Sequence, residues 1–127
     1  MEDARDQALK VLRPHVGHAE TKSEIEAFQH AVLRPLLKLQ HDLLVLQFED
    51  QARSLKLPWD RMPAAERRAT AEHLMQTHHR LRASLTGLVT GLMTREEFGF
   101  FLLHQDELGK RLSSMLMARL QSAYPDS

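Results

Sequence analysis

Apolar side chains recur at intervals of three and four residues through most of this chain, and this spacing restricts the fold more than any other feature. An α-helix has 3.6 residues per turn, so residues with this spacing lie on one face and form a stripe that must be buried. Residues 21–55, 63–91 and 94–124 each carry such a stripe. We therefore predict an all-α protein, an antiparallel bundle of three long helices.

Length and composition agree with this prediction. The chain has 127 residues, the size of one domain with its own core. With only 5 Gly and 5 Pro, and with many Leu, Ala, Arg, Glu and Gln, it favours helices over strands. We predict a short N-terminal helix and linker over residues 1–20, packed on the bundle or loose, and a helical bundle that forms the single domain over residues 21–124.

Proline, glycine and capping residues predict where the helices end. Pro14 should end the N-terminal helix, and Pro35, inside the first long stripe, should kink its helix without ending it. Gly91 is expected to end the next helix in the left-handed conformation. Thr94 and Glu97 form a capping-box sequence that starts the last helix. The connection between the last two helices is so short that they should form an antiparallel hairpin.

The first long helix carries a second apolar stripe beside the first, and it includes Leu44 and Phe48. Two stripes require burial from two sides, so we expect a second copy of the chain to cover part of this helix and to form a homodimer. Trp59 lies in a connection, where it should plug the end of the bundle or anchor a partner. Phe98 and Phe101 belong to an aromatic cluster larger than one core needs. These five residues are the predicted interaction surface.

The chain contains 8 His, a number that raises the question of a metal site. Helical di-iron bundles use pairs of Glu-x-x-His, and the sequence contains none. No His lies four residues before another His, Asp or Glu either. We therefore predict no metal ligands and no cofactor.

One histidine occupies a position in an apolar stripe. His78 lies between Leu74 and Leu81, where we expect it to be buried and sensitive to pH. Gln105 has a similar position on the last helix. If the two stripes face each other, these polar side chains could pair and fix the register of the two helices.

The sequence offers little support for catalysis or for nucleic-acid binding. It has no Gly-rich phosphate loop and no nucleophile elbow, so we predict that the protein is not an enzyme. Lys plus Arg and Asp plus Glu both number 17, so no overall charge attracts nucleic acid. Residues 93–119 allow a helix-turn-helix with its turn at residues 104–107. The apolar series from Phe98 to Leu120 keeps helical register across that turn, which favours one helix.

By elimination, we expect a non-catalytic module that binds a protein partner, acts in regulation or as an accessory protein, and forms a homodimer. A DNA-binding transcriptional regulator and a metal-binding helical bundle are the alternatives. The absence of Cys and of any apolar run long enough to span a bilayer leads us to expect a cytoplasmic protein without a membrane partner.

Overall fold

The computed structural model describes residues 2–126, in which helices account for all the regular structure and no strand occurs. The helices are α1 (Ala4–Leu12), α2 (Glu24–Phe28), α3 (Arg34–Ser54), α4 (Ala64–Thr77), α5 (His79–Thr90), α6 (Arg95–Leu103) and α7 (Gln105–Ser122). A π-helical turn, Gln29–Leu33, joins α2 to α3, and a 3₁₀ turn, Trp59–Arg61, precedes α4. The all-α prediction is confirmed for these residues.

Helices α2 and α3 form one continuous helix because the π turn joins them without a break. The side-chain oxygen of Ser23 accepts a hydrogen bond from the Glu26 amide at 3.1 Å and caps the start. The amide of Arg34 donates to the carbonyl of Gln29, one residue further back than in an α-helix. This wider turn lies directly before Pro35, whose ring removes a donor and crowds the preceding turn. The helix therefore continues past Pro35, as predicted, through a π turn.

The other two predicted long helices are each interrupted by one residue, so three unbroken helices are not found. His78 separates α4 from α5 with φ −104° and ψ 85°. The break frees carbonyls at the end of α4, and Arg82 donates to one of them, the Met75 oxygen, at 3.2 Å. His104 separates α6 from α7 with φ −117° and ψ 31°, so the prediction of one helix across this position is wrong.

The helices pack around α3 and α7. Helix α3 packs against α5 and α7, and α7 also packs against α4. The core between them is made of leucines and phenylalanines that have no exposed surface, including Leu44, Phe48, Leu85, Leu108 and Leu116. After the turn at residues 91–94 the chain folds back, since α7 packs against α4 and α5, and Gln121 near the end of α7 donates to the Arg68 carbonyl of α4 at 3.2 Å.

The turn between α5 and α6 contains the predicted capping box. The Thr94 hydroxyl accepts from the Glu97 amide at 3.2 Å, and the Glu97 carboxylate accepts from the Thr94 amide at 2.9 Å. The prediction of a left-handed Gly91 is wrong, since its φ is −63°. The reason for glycine is space instead, because a Cβ atom at position 91 would lie 2.9 Å from the carbonyl oxygen of Gly87.

The N-terminal helix α1 docks on this same turn through polar contacts. Arg5 donates to the Met93 carbonyl at 3.1 Å, and the buried Asp6 carboxylate accepts from the Arg95 amide at 3.2 Å. Arg13, just after α1, donates two hydrogen bonds to the Glu97 carboxylate. The N-terminal segment is therefore packed on the bundle.

Candidate interaction surfaces

The structure places four of the five residues of the predicted interaction surface inside one chain. Leu44 and Phe48 are 0% exposed, and Trp59 and Phe101 are also buried. The prediction that a second chain covers Leu44 and Phe48 is wrong, because α5 and α7 cover that side of α3. Only Phe98, 41% exposed, remains available to a partner.

Trp59 plugs one end of the bundle and is not an accessible anchor. Its ring makes edge contacts with Phe48, at 5.4 Å between centroids, and with Tyr124, at 5.3 Å. The guanidinium of Arg67 lies 5.0 Å from the Trp59 ring centroid and donates to the Trp59 carbonyl at 2.8 Å. Burial and the hydrogen bond that the Tyr124 hydroxyl donates to Glu49, at 2.7 Å, raise the pKa of Tyr124 above its usual value.

The predicted pH-sensitive pair does not form a buried seam. His78 is half-buried at the break between α4 and α5, where its Nδ1 lies 2.9 Å from the Thr77 hydroxyl oxygen. Gln105 is exposed at the start of α7. The spacing from Leu74 to Leu81 indicated a continuous stripe, but the backbone leaves the helix at His78 and takes the imidazole out of it.

Helix α6 is apolar on its outer side as well as on its inner side. The inner side holds the buried Phe101 and also Phe100, whose ring stacks on that of Phe28 at 4.9 Å. The outer side holds Phe98, Leu102 and Leu103, which are 41%, 49% and 82% exposed and which we call the α6 patch. Phe98 was predicted from the sequence as an interaction residue, whereas Leu102 and Leu103 were not.

Opposite charges stand at the two ends of the α6 patch. Arg95 lies beside Phe98 in one surface pocket, and its side chain is 87% exposed, with a single ion-pair contact of 3.5 Å to Asp3. Asp106 shares a second pocket with Leu102 and Leu103 at the other end. Asp106 is exposed and makes no salt bridge within residues 2–126. The first pocket also includes Arg5 and the second also includes Glu107, so cations bound one end of the patch and carboxylates bound the other.

A second exposed apolar surface lies on α3, away from the core. Leu39, Leu43 and Leu46 are 37%, 49% and 63% exposed, and we call them the α3 stripe. They belong to the first of the two sequence stripes, whereas Leu44 and Phe48 of the second are buried. The sequence predicted both stripes, but not that the first stripe would be buried at Phe28, Val32 and Leu36 and exposed from Leu39 onward.

An open groove of about 970 Å³ lies between α5 and α7. Its lining includes Ala83, Thr86, Gly109, Ser113 and Ser114. Across the part of the chain that the structure describes, neither Ser113 nor Ser114 accepts or donates a side-chain hydrogen bond, and no base is paired with either hydroxyl.

The break at His104 coincides with the turn that a helix-turn-helix would need. Asp106 and Glu107 form the first turn of α7, where carboxylates favour a helix start because of the positive end of the helix dipole. The start of α7 therefore carries a local negative charge.

Within residues 2–126, no three His, Asp or Glu side chains are grouped so that they could hold a metal ion. No helix in the same range is long and apolar enough to cross a membrane. No protein-family model matches the chain, and no curated protein or solved structure matches it either.

Proposed function

We propose that this protein is a non-catalytic protein-interaction module with a regulatory or accessory role, and that it forms a homodimer through the α6 patch. The observation that supports the proposal is the exposed apolar outer side of α6, with Arg95 at one end and Asp106 at the other. Exposed apolar clusters with a polar rim are typical of protein-protein contacts.

The arrangement of charges favours a second copy as the occupant of the α6 patch. If two α6 helices pair antiparallel around a two-fold axis, Arg95 of each copy meets Asp106 of the other. The same pairing brings Leu102 toward Gly99 of the second copy, since both lie near the middle of the outer side of α6. A Cβ atom at position 99 would meet nothing within 4 Å, so the second helix has room to approach closely.

The expected dimer is weak because the contact helix is short. Helix α6 has 9 residues and is about 13 Å long, which leads us to expect a small interface and a dissociation constant on the order of micromolar. Dimerisation displays every other surface of the module twice, which raises the avidity for a partner with two sites. Such behaviour suits an accessory or regulatory protein.

Light scattering on the full chain at tens to hundreds of micromolar tests the proposal. The parent should approach twice the mass of one chain as concentration rises, and Leu103→Ser should remain monomeric. Arg95→Glu alone and Asp106→Lys alone should also weaken the dimer, since each brings like charges together. The double variant, which restores opposite charges, should recover dimerisation.

Leu46→Ser is the matched control, because it removes another exposed leucine, from α3, and should leave the dimer unchanged. Circular dichroism of every variant should match the parent, since all the altered side chains are exposed. A parent that stays monomeric over the whole range, or a double variant that dimerises no better than the single ones, would contradict the proposal.

A further inference from the structure

The α3 stripe lies on the outer side of the longest helix in the described chain, where its three leucines remain 37–63% exposed. Leu39, Leu43 and Leu46 lie four and three residues apart, the spacing at which a second helix packs against a first. Asp50 continues this spacing by four more residues. The stripe and Asp50 span about three helical turns, enough to bind one amphipathic helix.

The side chains around the stripe are mainly acidic. Asp42 and Asp50 are exposed and make no salt bridge within residues 2–126. Glu49 lies on the same flank as Asp42, but it is half-buried and already contacts Arg53 at 3.9 Å and the Tyr124 hydroxyl at 2.7 Å. Of the two cations near the stripe, Arg53 is already paired with Asp60 at 3.0 Å. Lys38 is therefore the one cation without a salt bridge beside the stripe in the described chain, and carboxylates outnumber it.

The same charges disfavour a parallel pair of α3 helices from two copies as the occupant. In that arrangement around a two-fold axis, Asp50 meets Asp50 of the other copy in a partly dehydrated contact, which is unfavourable. In an antiparallel pair, the flank that holds Lys38, Asp42, Glu49 and Arg53 meets the identical flank of the other copy, and its mixed charges neither favour nor oppose the contact. Light scattering of Leu43→Ser separates this pairing from a basic helix.

We propose that the α3 stripe binds a basic amphipathic helix of a partner protein. Leucine-like side chains of the partner pack on Leu39, Leu43 and Leu46, and its lysines or arginines pair with Asp42 and Asp50. This inference concerns a different helix from the α6 patch and does not depend on dimerisation.

Binding of synthetic peptides to the full chain tests the inference by fluorescence anisotropy. The probe is a labelled helical peptide of about 18 residues with leucines at three- and four-residue spacing and lysines on both sides of them. The matched peptide has glutamate in place of every lysine. The lysine peptide should bind at least about tenfold more tightly than the glutamate peptide, and added salt should reduce the difference.

Variants of the protein locate the binding site. Leu43→Ser should weaken binding of the lysine peptide about tenfold, and the Asp42→Asn, Asp50→Asn double variant should weaken it several-fold and lower its salt dependence. Leu103→Ser, in the α6 patch, is the control and should bind like the parent. Equal binding of both peptides, or an unaltered affinity in Leu43→Ser, would overturn the inference.

Two other occupants give distinct results. If a second copy covers the stripe, light scattering will give a lower mass for Leu43→Ser than for the parent, and the same mass for Leu103→Ser as for the parent. If lipid covers it, zwitterionic vesicles will retain the parent and release Leu43→Ser. Either result overturns the assignment of the stripe to a basic helix.

Discussion

Glu97 is the residue that joins the N-terminal helix to the hairpin turn. Its carboxylate accepts from the Thr94 amide and receives two hydrogen bonds from Arg13. Burial by itself would raise the pKa of Glu97, but the hydrogen bonds from Arg13 and Thr94 outweigh it and hold this pKa below its usual value. The ionised form of Glu97 therefore stabilises the folded state.

The lowered pKa of Glu97 makes its contribution to stability depend on pH. Because the carboxylate binds a proton less readily when folded, its contribution is present above the ordinary pKa of 4.5 and is lost as pH falls below that toward the folded value. Glu97→Gln should lower the free energy of unfolding at pH 7 by about 1.5–3 kcal/mol. As pH falls below 4.5, Glu97→Gln should also lose less of its free energy of unfolding than the parent does.

Denaturant unfolding of both proteins at neutral pH and at several values below pH 4.5 measures this difference. Glu107→Gln is a suitable control, since Glu107 makes only an exposed pair with Arg111 and should hardly alter stability. Equal acid slopes for the parent and Glu97→Gln would show that the Arg13 contact does not stabilise the fold in solution.

At the level of the helices, two glycines have opposite environments. The amide of Gly91 donates to the Gly87 carbonyl at 2.9 Å, and a Cβ atom at position 91 would lie at the same short distance from that oxygen. Gly109 lies inside α7, where a Cβ atom would meet nothing within 4 Å. Glycine is therefore required at position 91, at the end of α5. At position 109, inside α7, glycine only lowers the helix propensity.

Alanine at these two positions should change stability in opposite directions. Gly109→Ala should raise the free energy of unfolding by about 0.5–1 kcal/mol, since alanine loses less backbone entropy on folding. Gly91→Ala should lower it, and Gly91→Val should lower it further, because the Gly87 carbonyl must shift. Thermal and denaturant unfolding compare the three variants. A Gly91→Ala protein as stable as Gly109→Ala would show that the turn relaxes without cost.

The positions of the helices could be predicted from the sequence, but the breaks within them could not. Thr94 could be predicted as a cap because its side chain satisfies a free amide within the same segment. The breaks at His78 and His104 were missed because buried residues keep a spacing of seven across them, from Leu74 to Leu81 for example, whether or not the helix is interrupted. The spacing of buried residues does not change when one residue between them leaves the helical conformation.

The sequence also could not show which apolar surface is free. Both stripes of α3 have helical spacing and leucine side chains, so spacing alone treats Leu43 and Leu44 alike. The packing of α5 and α7 against one side of α3 decides that Leu44 is buried and Leu43 exposed. Phe98 was predicted as an interaction residue for its aromatic neighbours, and the exposed Leu102 and Leu103 depend on where α6 sits.

Across the whole molecule, the attachment of α1 differs in kind from the packing of the bundle. Helices α3, α5 and α7 share a dry core, whereas Asp6 is the buried residue of α1. Val11 and Leu12, the most apolar part of α1, are exposed. Polar contacts therefore hold this helix, and it should open without unfolding the bundle, as elements with few buried apolar contacts do.

Hydrogen exchange of backbone amides, followed by mass spectrometry, should reveal this order of stability. Amides of α1 should exchange faster than those of α7, whose leucines are fully buried. Arg13→Ala removes both hydrogen bonds to Glu97 and should accelerate exchange in α1 while α3 and α7 exchange as in the parent. Arg53→Ala, which removes an exposed pair with Asp60, is the control and should leave α1 unchanged. If α1 and α7 exchanged at the same rate, and Arg13→Ala accelerated both together, α1 would be part of one cooperative unit and its polar contacts would support the whole bundle.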